Sequence, residues 1–163
     1  MGRLTFHQTA YTVNSVFEAA TVAELTSRIN RLTPTTERLW GTMTVDQMLA
    51  HVNVAYEMVY DPAKHPTPNV VMRWVLKRLV KNKVVGPAPY AKNTPTAPAF
   101  KMKGPKDFAH ERERLLGFLD RVRGDGARVF EGKSSASFGP LTVSEWNVLF
   151  YKHLDHHLTQ FGV

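Results

Sequence analysis

The sequence predicts an all-α protein folded as a single domain. Four long segments of the 163 residues carry apolar side chains at the three- and four-residue spacing of an amphipathic helix. Three of these segments begin with a threonine followed three residues later by glutamate or glutamine, the capping box that satisfies free amides at a helix start. No strand pattern competes with them. Helices joined by short and long connectors predict a four-helix bundle over residues 1–163, with residues 1–14 as an irregular N-terminal segment.

The first two helices are predicted from their caps and their apolar stripes. The first begins at the capping box formed by Thr21 and Glu24, with one further turn from about residue 16 left open. The second begins at Thr44 and ends near Asp61, because the following proline disfavours a helical residue before it. His51 lies beside the inward stripe of this helix, so we expect it at the core or its edge. The stripe residues are Val22, Leu25, Ile29, Leu32, Met48, Val52, Ala55, Tyr56 and Val59.

The middle of the chain predicts an extra short basic helix followed by a long proline-rich crossover. Residues 69–83 combine apolar and basic side chains at helical spacing. Three interpretations stay open for this helix: a surface helix with a solvated basic face, a wall that steers anions, and a helix on a membrane surface. Residues 86–105 contain five prolines and two glycines, which exclude a helix. A connector of this length is often functional, as an ordered crossover or a mobile flap.

The last two long helices complete the predicted bundle. One begins near Asp107 and ends at residues 124–126, and residues 127–141 form a loop. The other begins at the capping box formed by Thr142 and Glu145. One face of this final helix carries Trp146, Leu149, Phe150, His153, His157, Gln160 and Phe161.

Composition excludes several kinds of site. The chain has no cysteine, which excludes a disulfide framework, a thiolate metal site and a cysteine nucleophile. No apolar run approaches the roughly 20 residues of a transmembrane helix, so we expect a soluble cytoplasmic protein. The net charge of +7 is concentrated, because residues 62–106 hold ten basic and no acidic residues whereas the rest of the chain nets −3. This segment could steer an anionic ligand, and the sequence shows no nucleic-acid-binding motif.

The histidines near the C-terminus are the candidate functional residues. His153 and His157 are four residues apart, so a helix places them one turn apart on one face, where they could hold one metal ion. His51 is the best candidate for a third ligand. His156 could replace one of the pair, because it lies three residues after His153. The alternative is that these histidines are hydrogen-bonded residues without a metal.

The motifs then point to a known family. Residues 39–51 (LWGTMTVDQMLAH) resemble the helix-two signature of DinB/YfiT-like proteins. Residues 92–100 (KNTPTAPAF) and the stretch from FGPLT at 138 to QFG at 160–162 resemble one branch of that superfamily, domain-of-unknown-function family 1569. The resemblance covers about residues 15–163. One departure is the Ser135-Ala136-Ser137 run, where the family would have His-Pro before Phe-Gly.

The resemblance implies a fold and a metal site. It implies a DinB-like four-helix bundle that binds zinc or nickel through His51, His153 and His157. Three imidazoles leave a coordination position for water or substrate, which is typical of a catalytic metal. Relatives include thiol-dependent transferases and isomerases, so the implied activity is that of a metal-dependent transferase, isomerase or hydrolase acting on a small, anionic substrate with a low-molecular-weight thiol. No general base is assigned; Asn53, Tyr56, Glu57 and Gln160 are candidates only for polar groups of the pocket.

Two other function classes stay open beside the enzyme. One is a non-catalytic helical bundle that binds a small ligand, a protein partner or a second copy as a homodimer. The other is a basic surface that binds anionic lipid or nucleic acid, with a steep dependence on salt.

Overall fold

The computed structural model of the protein describes residues 11–163, and that part of the chain is mostly helical. Residues 11–14 have no regular structure; the rest of the expected N-terminal irregular segment lies outside the described residues. The helices are α1 (Ala19–Arg31), α2 (Val45–Tyr60), α3 (Val70–Val75), α4 (Lys81–Val85), α5 (Phe108–Asp125) and α6 (Val143–Gln160). A single wide turn of π-helix (Leu76–Val80) joins α3 to α4, and short 3₁₀ turns lie at Pro62–Lys64, Pro98–Phe100 and Ala127–Phe130.

The four long helices α1, α2, α5 and α6 enclose the core, which confirms the all-α expectation. Helix α2 packs against both α5 and α6, and α1 packs against the same two helices. At the centre the ring of Tyr56 stacks between Phe118 and Phe150, with ring centroids 5.5 and 4.8 Å away. The buried apolar set includes Leu25, Ile29, Met48, Leu49, Val52, Leu115, Leu119, Phe130, Leu154 and Leu158.

Two of the three expected capping boxes are present. Thr44 N–H donates to Gln47 Oε1 at 3.2 Å at the start of α2. Thr142 N–H donates to Glu145 Oε2 at 3.0 Å at the start of α6, and the Thr142 hydroxyl oxygen accepts from the Glu145 amide. These local signals fixed the starts of the two helices that carry all three candidate histidines.

The first helix begins before Thr21, within the further turn that the sequence left open, and the expected capping box at Thr21 is absent. Helix α1 begins at Ala19, and Thr21 is a buried residue inside it. The reason is a tertiary contact: Val16 is fully buried, and its amide donates to Asn147 Oδ1 of α6 at 2.8 Å. This anchor turns the chain at residues 15–18, so the helix begins at Ala19 and Thr21 lies inside its first turn.

The long loop 127–141 also contains two very short strands that the sequence did not predict. Strands β1 (Ser134–Ser135) and β2 (Gly139–Pro140) pair antiparallel, with Ser134 opposite Pro140 and Ser135 opposite Gly139. They form a tight hairpin directly before α6. In the described part of the chain, no helix is long and apolar enough to span a membrane.

The proline-rich crossover, residues 86–105, is fastened to the helices at several points. The amide of Lys106, directly after it, donates to Asp46 Oδ2 at the start of α2 (2.6 Å), and Gln47 Nε2 donates to the Gly104 carbonyl (3.0 Å). The other end is held by Lys152 of α6, as described below. The crossover therefore runs across the start of α2 and the middle of α6, near the histidines.

Candidate metal centre

Three histidines from two helices converge on one point. His51 comes from α2, and His153 and His157 come from successive turns of α6. The ring centroids lie 4.6 Å apart for His51 and His157, 5.0 Å for His51 and His153, and 4.9 Å for His153 and His157. One nitrogen from each ring lies within 4.8 Å of the others, so the three are close enough to hold one metal ion.

The orientation of His51 is fixed by the crossover. Its Nδ1 lies 2.8 Å from the carbonyl oxygen of Phe100. A carbonyl only accepts hydrogen bonds, so Nδ1 carries the proton and the lone pair lies on Nε2. That Nε2 lies 3.0 Å from His153 Nε2, at the centre of the cluster. The imidazole is thus held in the tautomer whose free nitrogen points at the other two rings.

The orientation of His157 is fixed by a relay of two hydrogen bonds. Gln160 Nε2 donates to the carbonyl oxygen of Trp40 at 2.8 Å, which leaves Gln160 Oε1 facing His157 Nδ1 at 2.7 Å. An amide oxygen only accepts, so His157 also carries its proton on Nδ1 and its lone pair on Nε2. Outer partners of this kind set the tautomer and ring angle of metal-binding histidines.

Ring packing orients His153, whereas His51 and His157 are oriented by hydrogen bonds at Nδ1. The ring of Phe100 lies 5.8 Å from the His153 ring, and that of Tyr90 lies 6.4 Å away, both edge-on. With the His51 lone pair directed at it, His153 Nε2 is the donor of their 3.0 Å contact. A metal ion between the rings would take the place of this hydrogen bond. His153 would then face the ion with Nε2 and carry its proton on Nδ1.

Burial keeps these imidazoles neutral. His51 is 4% exposed and His157 is 7% exposed. Burial lowers the pKa of His51, and it lowers the pKa of His157 to about 3, with the neighbouring His51 adding to the effect. Burial, followed by the proximity of His157 and His51, holds the pKa of His153 well below its ordinary value of 6.5. Only a neutral imidazole has the lone pair that a metal needs, so the cluster is in ligand form at neutral pH.

The donor set fits a divalent ion of the zinc type. In a tetrahedral zinc site each metal–nitrogen distance to imidazole is about 2.0–2.1 Å, which places two ligand nitrogens about 3.3 Å from each other. The His51 and His153 nitrogens, 3.0 Å apart, already lie near that spacing. Three imidazoles and no thiolate suit zinc, nickel, copper or iron, and disfavour the hard ions calcium and magnesium, which prefer oxygen.

The other residues considered from the sequence lie outside the three-histidine group, although the His156 ring contacts that of His157 at 5.1 Å. The His156 ring packs against Trp40 (5.8 Å) and Tyr90 (5.6 Å), outside the three-histidine group. Asn53 bonds to Glu111 on α5, and the buried Glu57 binds Arg114 and His65. Tyr56 lies in the aromatic core. Of the candidates for polar groups in the pocket, only Gln160 contacts the cluster.

Lys152 is a residue that the sequence analysis missed. It is 1% exposed, and its Nζ donates to the carbonyls of Lys83 (3.0 Å), Gly86 (2.5 Å) and Ala88 (3.0 Å). Burial lowers its pKa to about 8. One signal for its burial was available in the sequence. Lys152 lies between Tyr151 and His153 on a helix that is apolar on several faces. Its role is to attach the end of α4 and the start of the crossover to α6, one residue before His153.

A cavity of about 340 Å³ lies beside the cluster, along the adjacent face of α6. Tyr90 and His156 line the cavity and also contact the cluster, since the Tyr90 ring lies 6.4 Å from that of His153 and the His156 ring 5.1 Å from that of His157. Lys92 sits at its wall with Nζ 4.2 Å from the centre of the Trp40 ring. The one carboxylate, Asp155, is bound by Arg28 at 2.8 Å and by the Tyr11 hydroxyl at 3.0 Å. The lining is Tyr11, Trp40, Pro89, Tyr90, Lys92, Lys152, Asp155, His156 and Thr159.

Comparisons with known proteins give a family but no described activity. A search of curated proteins found no match, and a search of solved structures found none. A family model described as "Protein of unknown function (DUF1569)" matches residues 16–162, which include α1 to α6 and all three clustered histidines. The match extends over nearly the whole chain, and the protein therefore belongs to the DUF1569 family.

Proposed function

We propose that this protein is a divalent-metal-dependent enzyme with a three-histidine centre at His51, His153 and His157. The observation that carries the proposal is the convergence of these rings with their tautomers set by the Phe100 carbonyl and by Gln160. The resemblance to DinB-like proteins supports the same ligand set and a four-helix-bundle arrangement of α1, α2, α5 and α6. Within that resemblance, zinc and nickel are the metals we expect.

Three protein ligands would leave a coordination position on the ion free for a reacting molecule. Three histidine ligands are the number found in catalytic zinc sites, where a further position is open to water or substrate. Such an ion lowers the pKa of a bound water or thiol and polarises a carbonyl. The chain's own residues limit the access of water, because His51 and His157 are buried and Phe100 and Tyr90 pack edge-on against His153.

The cavity beside the cluster supports a small anionic substrate. Its walls include the aromatic rings of Tyr11, Trp40 and Tyr90, and Asp155 is neutralised by Arg28. Lys92 is the cation available to a ligand, because the Lys152 ammonium is bound by three backbone carbonyls. Residues 62–106 also concentrate positive charge in the chain, which can steer an anion toward the protein. By resemblance, we propose a thiol-dependent S-transferase or isomerase, in which a cofactor thiol is one of the small anionic molecules.

Metal content is the first test. We expect near-stoichiometric zinc or nickel in the untagged protein by elemental analysis, and loss of that metal in both His51→Ala and His153→Ala at unchanged helical content by circular dichroism. His110→Ala, an exposed histidine on α5, is the matched control and should keep its metal. His156→Ala should also keep it. Metal retained by His51→Ala would contradict the proposed centre.

A thiol screen tests the reaction class. Glutathione, mycothiol and bacillithiol would each be offered with an electrophilic alkyl or aryl substrate, and the S-conjugate measured by mass spectrometry. We expect conjugate formation that needs the metal and disappears in His153→Ala. If the parent takes up no metal after dialysis against zinc and nickel, the second candidate holds: a non-catalytic bundle whose cavity binds a small anion.

A further inference from the structure

Helix α3 and the wide turn after it form an apolar surface that residues 11–163 leave largely exposed. Helix α3 and the wide turn after it contain no buried residue. Val70 is 82% exposed and Trp74 is 61% exposed. The large exposed apolar residues of this segment are Val70, Val71, Met72, Trp74 and Leu79. Exposed apolar groups concentrated in this way mark a site of interaction.

Basic side chains lie among these apolar ones. Lys77 and Arg78 are exposed and Arg73 is half-buried, while the Arg78 guanidinium lies 5.8 Å from the Trp74 ring centre. In the described part of the chain, no carboxylate forms an ion pair with any of these three basic residues. The segment from 62 to 106 has no acidic residue that could do so.

The other end of the helix is firmly attached to the body. Lys81 Nζ lies 2.7 Å from Glu145 Oε1 at the start of α6, and Val85 is buried. Lys152 binds the carbonyl of Lys83. The exposed segment therefore continues from a fixed base and lies along the hairpin, with Val70, Arg73, Trp74 and Lys77 lining a groove with residues 137–140. It does not need to unfold to present its exposed side chains.

We propose that α3 and its following turn dock the protein on an anionic lipid surface. A bilayer interface satisfies both features at once: valine and tryptophan side chains enter the acyl boundary while arginine and lysine reach the phosphate groups. A second copy fits less well. A symmetric contact through this face would bring Arg73, Lys77 and Arg78 of both copies together with no acidic residue in the segment to neutralise them.

Nucleic acid fits less well for a different reason. Phosphate binding would use the basic residues alone and would leave Val70, Val71 and Leu79 exposed to water. The docking proposal does not depend on the histidine cluster, so it can succeed or fail independently of the proposed metal centre.

Vesicle sedimentation tests the proposal. Full-length protein would be mixed with vesicles of phosphatidylcholine alone or of phosphatidylcholine and phosphatidylglycerol in equal amounts. We expect binding to the anionic vesicles, weakened by salt, and at least about tenfold weaker binding to the neutral ones. The double variant Val70→Ser/Trp74→Ser should lose about tenfold or more of the binding, because two exposed apolar anchors are removed.

Matched variants separate this surface from general charge. Lys77→Glu/Arg78→Glu should abolish binding to anionic vesicles. Arg31→Glu/Arg123→Glu changes the net charge by the same amount on exposed positions of α1 and α5 and should retain most of it. Val129→Ser, another exposed apolar residue, controls for the loss of a valine.

Three results would overturn the proposal. One is equal binding of the parent and Val70→Ser/Trp74→Ser to anionic vesicles. Another is a dimer of the parent, seen by analytical ultracentrifugation, that Val70→Ser/Trp74→Ser converts to monomer, which would make a second copy the occupant. The third is tight binding to DNA or RNA that Lys77→Glu/Arg78→Glu removes and Val70→Ser/Trp74→Ser leaves unchanged. Each of these variants should have the same metal content as the parent protein.

Discussion

Gly41 lies directly against the side-chain amide of Gln160. A Cβ on this glycine would come 2.5 Å from Gln160 Nε2, and its φ of +82° is one that other residues rarely adopt. Gln160 in turn accepts the hydrogen bond that fixes His157. A glycine in the loop before α2 therefore controls the orientation of a histidine at the end of α6, 116 residues away in sequence.

Gly41→Ala should weaken metal binding. The added methyl displaces Gln160, so His157 loses its Nδ1 partner, and we expect about a tenfold or greater loss of zinc affinity in a competitive chelator titration. Gly132→Ala is the matched control, because Gly132 also has a positive φ (+70°) but nothing within 4 Å of its Cβ position. Both variants should lose about 1–2 kcal/mol of unfolding free energy from backbone strain. Equal zinc affinity in the two variants would contradict the relay.

Gln160→Leu tests the same relay at its centre. Leucine has a similar volume but leaves His157 Nδ1 and the Trp40 carbonyl without the partners that Gln160 supplies. We expect zinc affinity to fall by about 10–100-fold, with the helical content unchanged. Thr159→Val, at the exposed neighbouring position, should bind zinc as the parent does. Unchanged affinity in Gln160→Leu would show that His157 needs no outer partner.

Lys152→Met should destabilise the fold and loosen the crossover. Methionine fills the space but leaves three buried carbonyl oxygens without their donor, at a cost of about 2–4 kcal/mol in a urea titration. Hydrogen exchange should become faster at residues 83–90. Lys101→Met, on the exposed part of the same crossover, is the control. A loss of less than about 0.5 kcal/mol would show that the ammonium contributes little.

Lys152 also predicts a pH dependence. Its pKa is about 8 in the folded protein and 10.5 ordinarily. Between these two values the unfolded chain binds more protons, so the unfolding free energy of the parent should rise with pH relative to that of Lys152→Met. Below pH 8 the difference should level off. A difference that falls from pH 8 to 10.5 would mean that the three carbonyls favour the charged form more than burial disfavours it.

Asp46 should contribute stability that acid removes. Partial burial raises the pKa of this carboxyl, but hydrogen bonds from Thr44 and from the Lys106 amide outweigh it, and the net pKa is below 3.8. A lowered folded-state pKa means that the stabilisation is complete above the ordinary pKa and is lost as pH falls through the folded one. Asp46→Asn should therefore be less stable than the parent by about 1 kcal/mol at pH 7, and the two should converge below pH 3.8.

The control for Asp46 is the exposed Asp120→Asn on α5. It should match the parent in urea unfolding at pH 7. A gap between Asp46→Asn and the parent that stays constant from pH 7 to below 3.8 would assign the effect to shape instead of charge.

The sequence by itself determined which segments form the long helices. It also placed two of the three clustered histidines, His153 and His157, on one helix face. Capping boxes at Thr44 and Thr142 and apolar stripes at helical spacing are local signals, because they depend on residues three and four apart. The i,i+4 spacing of His153 and His157 followed from helix geometry alone. For the third member the sequence indicates His51 only as the best candidate and through a family resemblance, since no local signal relates positions 102 residues apart.

Tertiary structure decided what the local pattern could not. The start of α1 moved to Ala19 because Val16 binds Asn147 on another helix. The tautomers of His51 and His157 depend on a backbone carbonyl of the crossover and on a relay that ends at Trp40, and backbone carbonyls carry no sequence signature. The exposure of Val70 and Trp74 was likewise decided by the tertiary structure, because an amphipathic helix ordinarily buries its apolar face and no local pattern shows that this one does not.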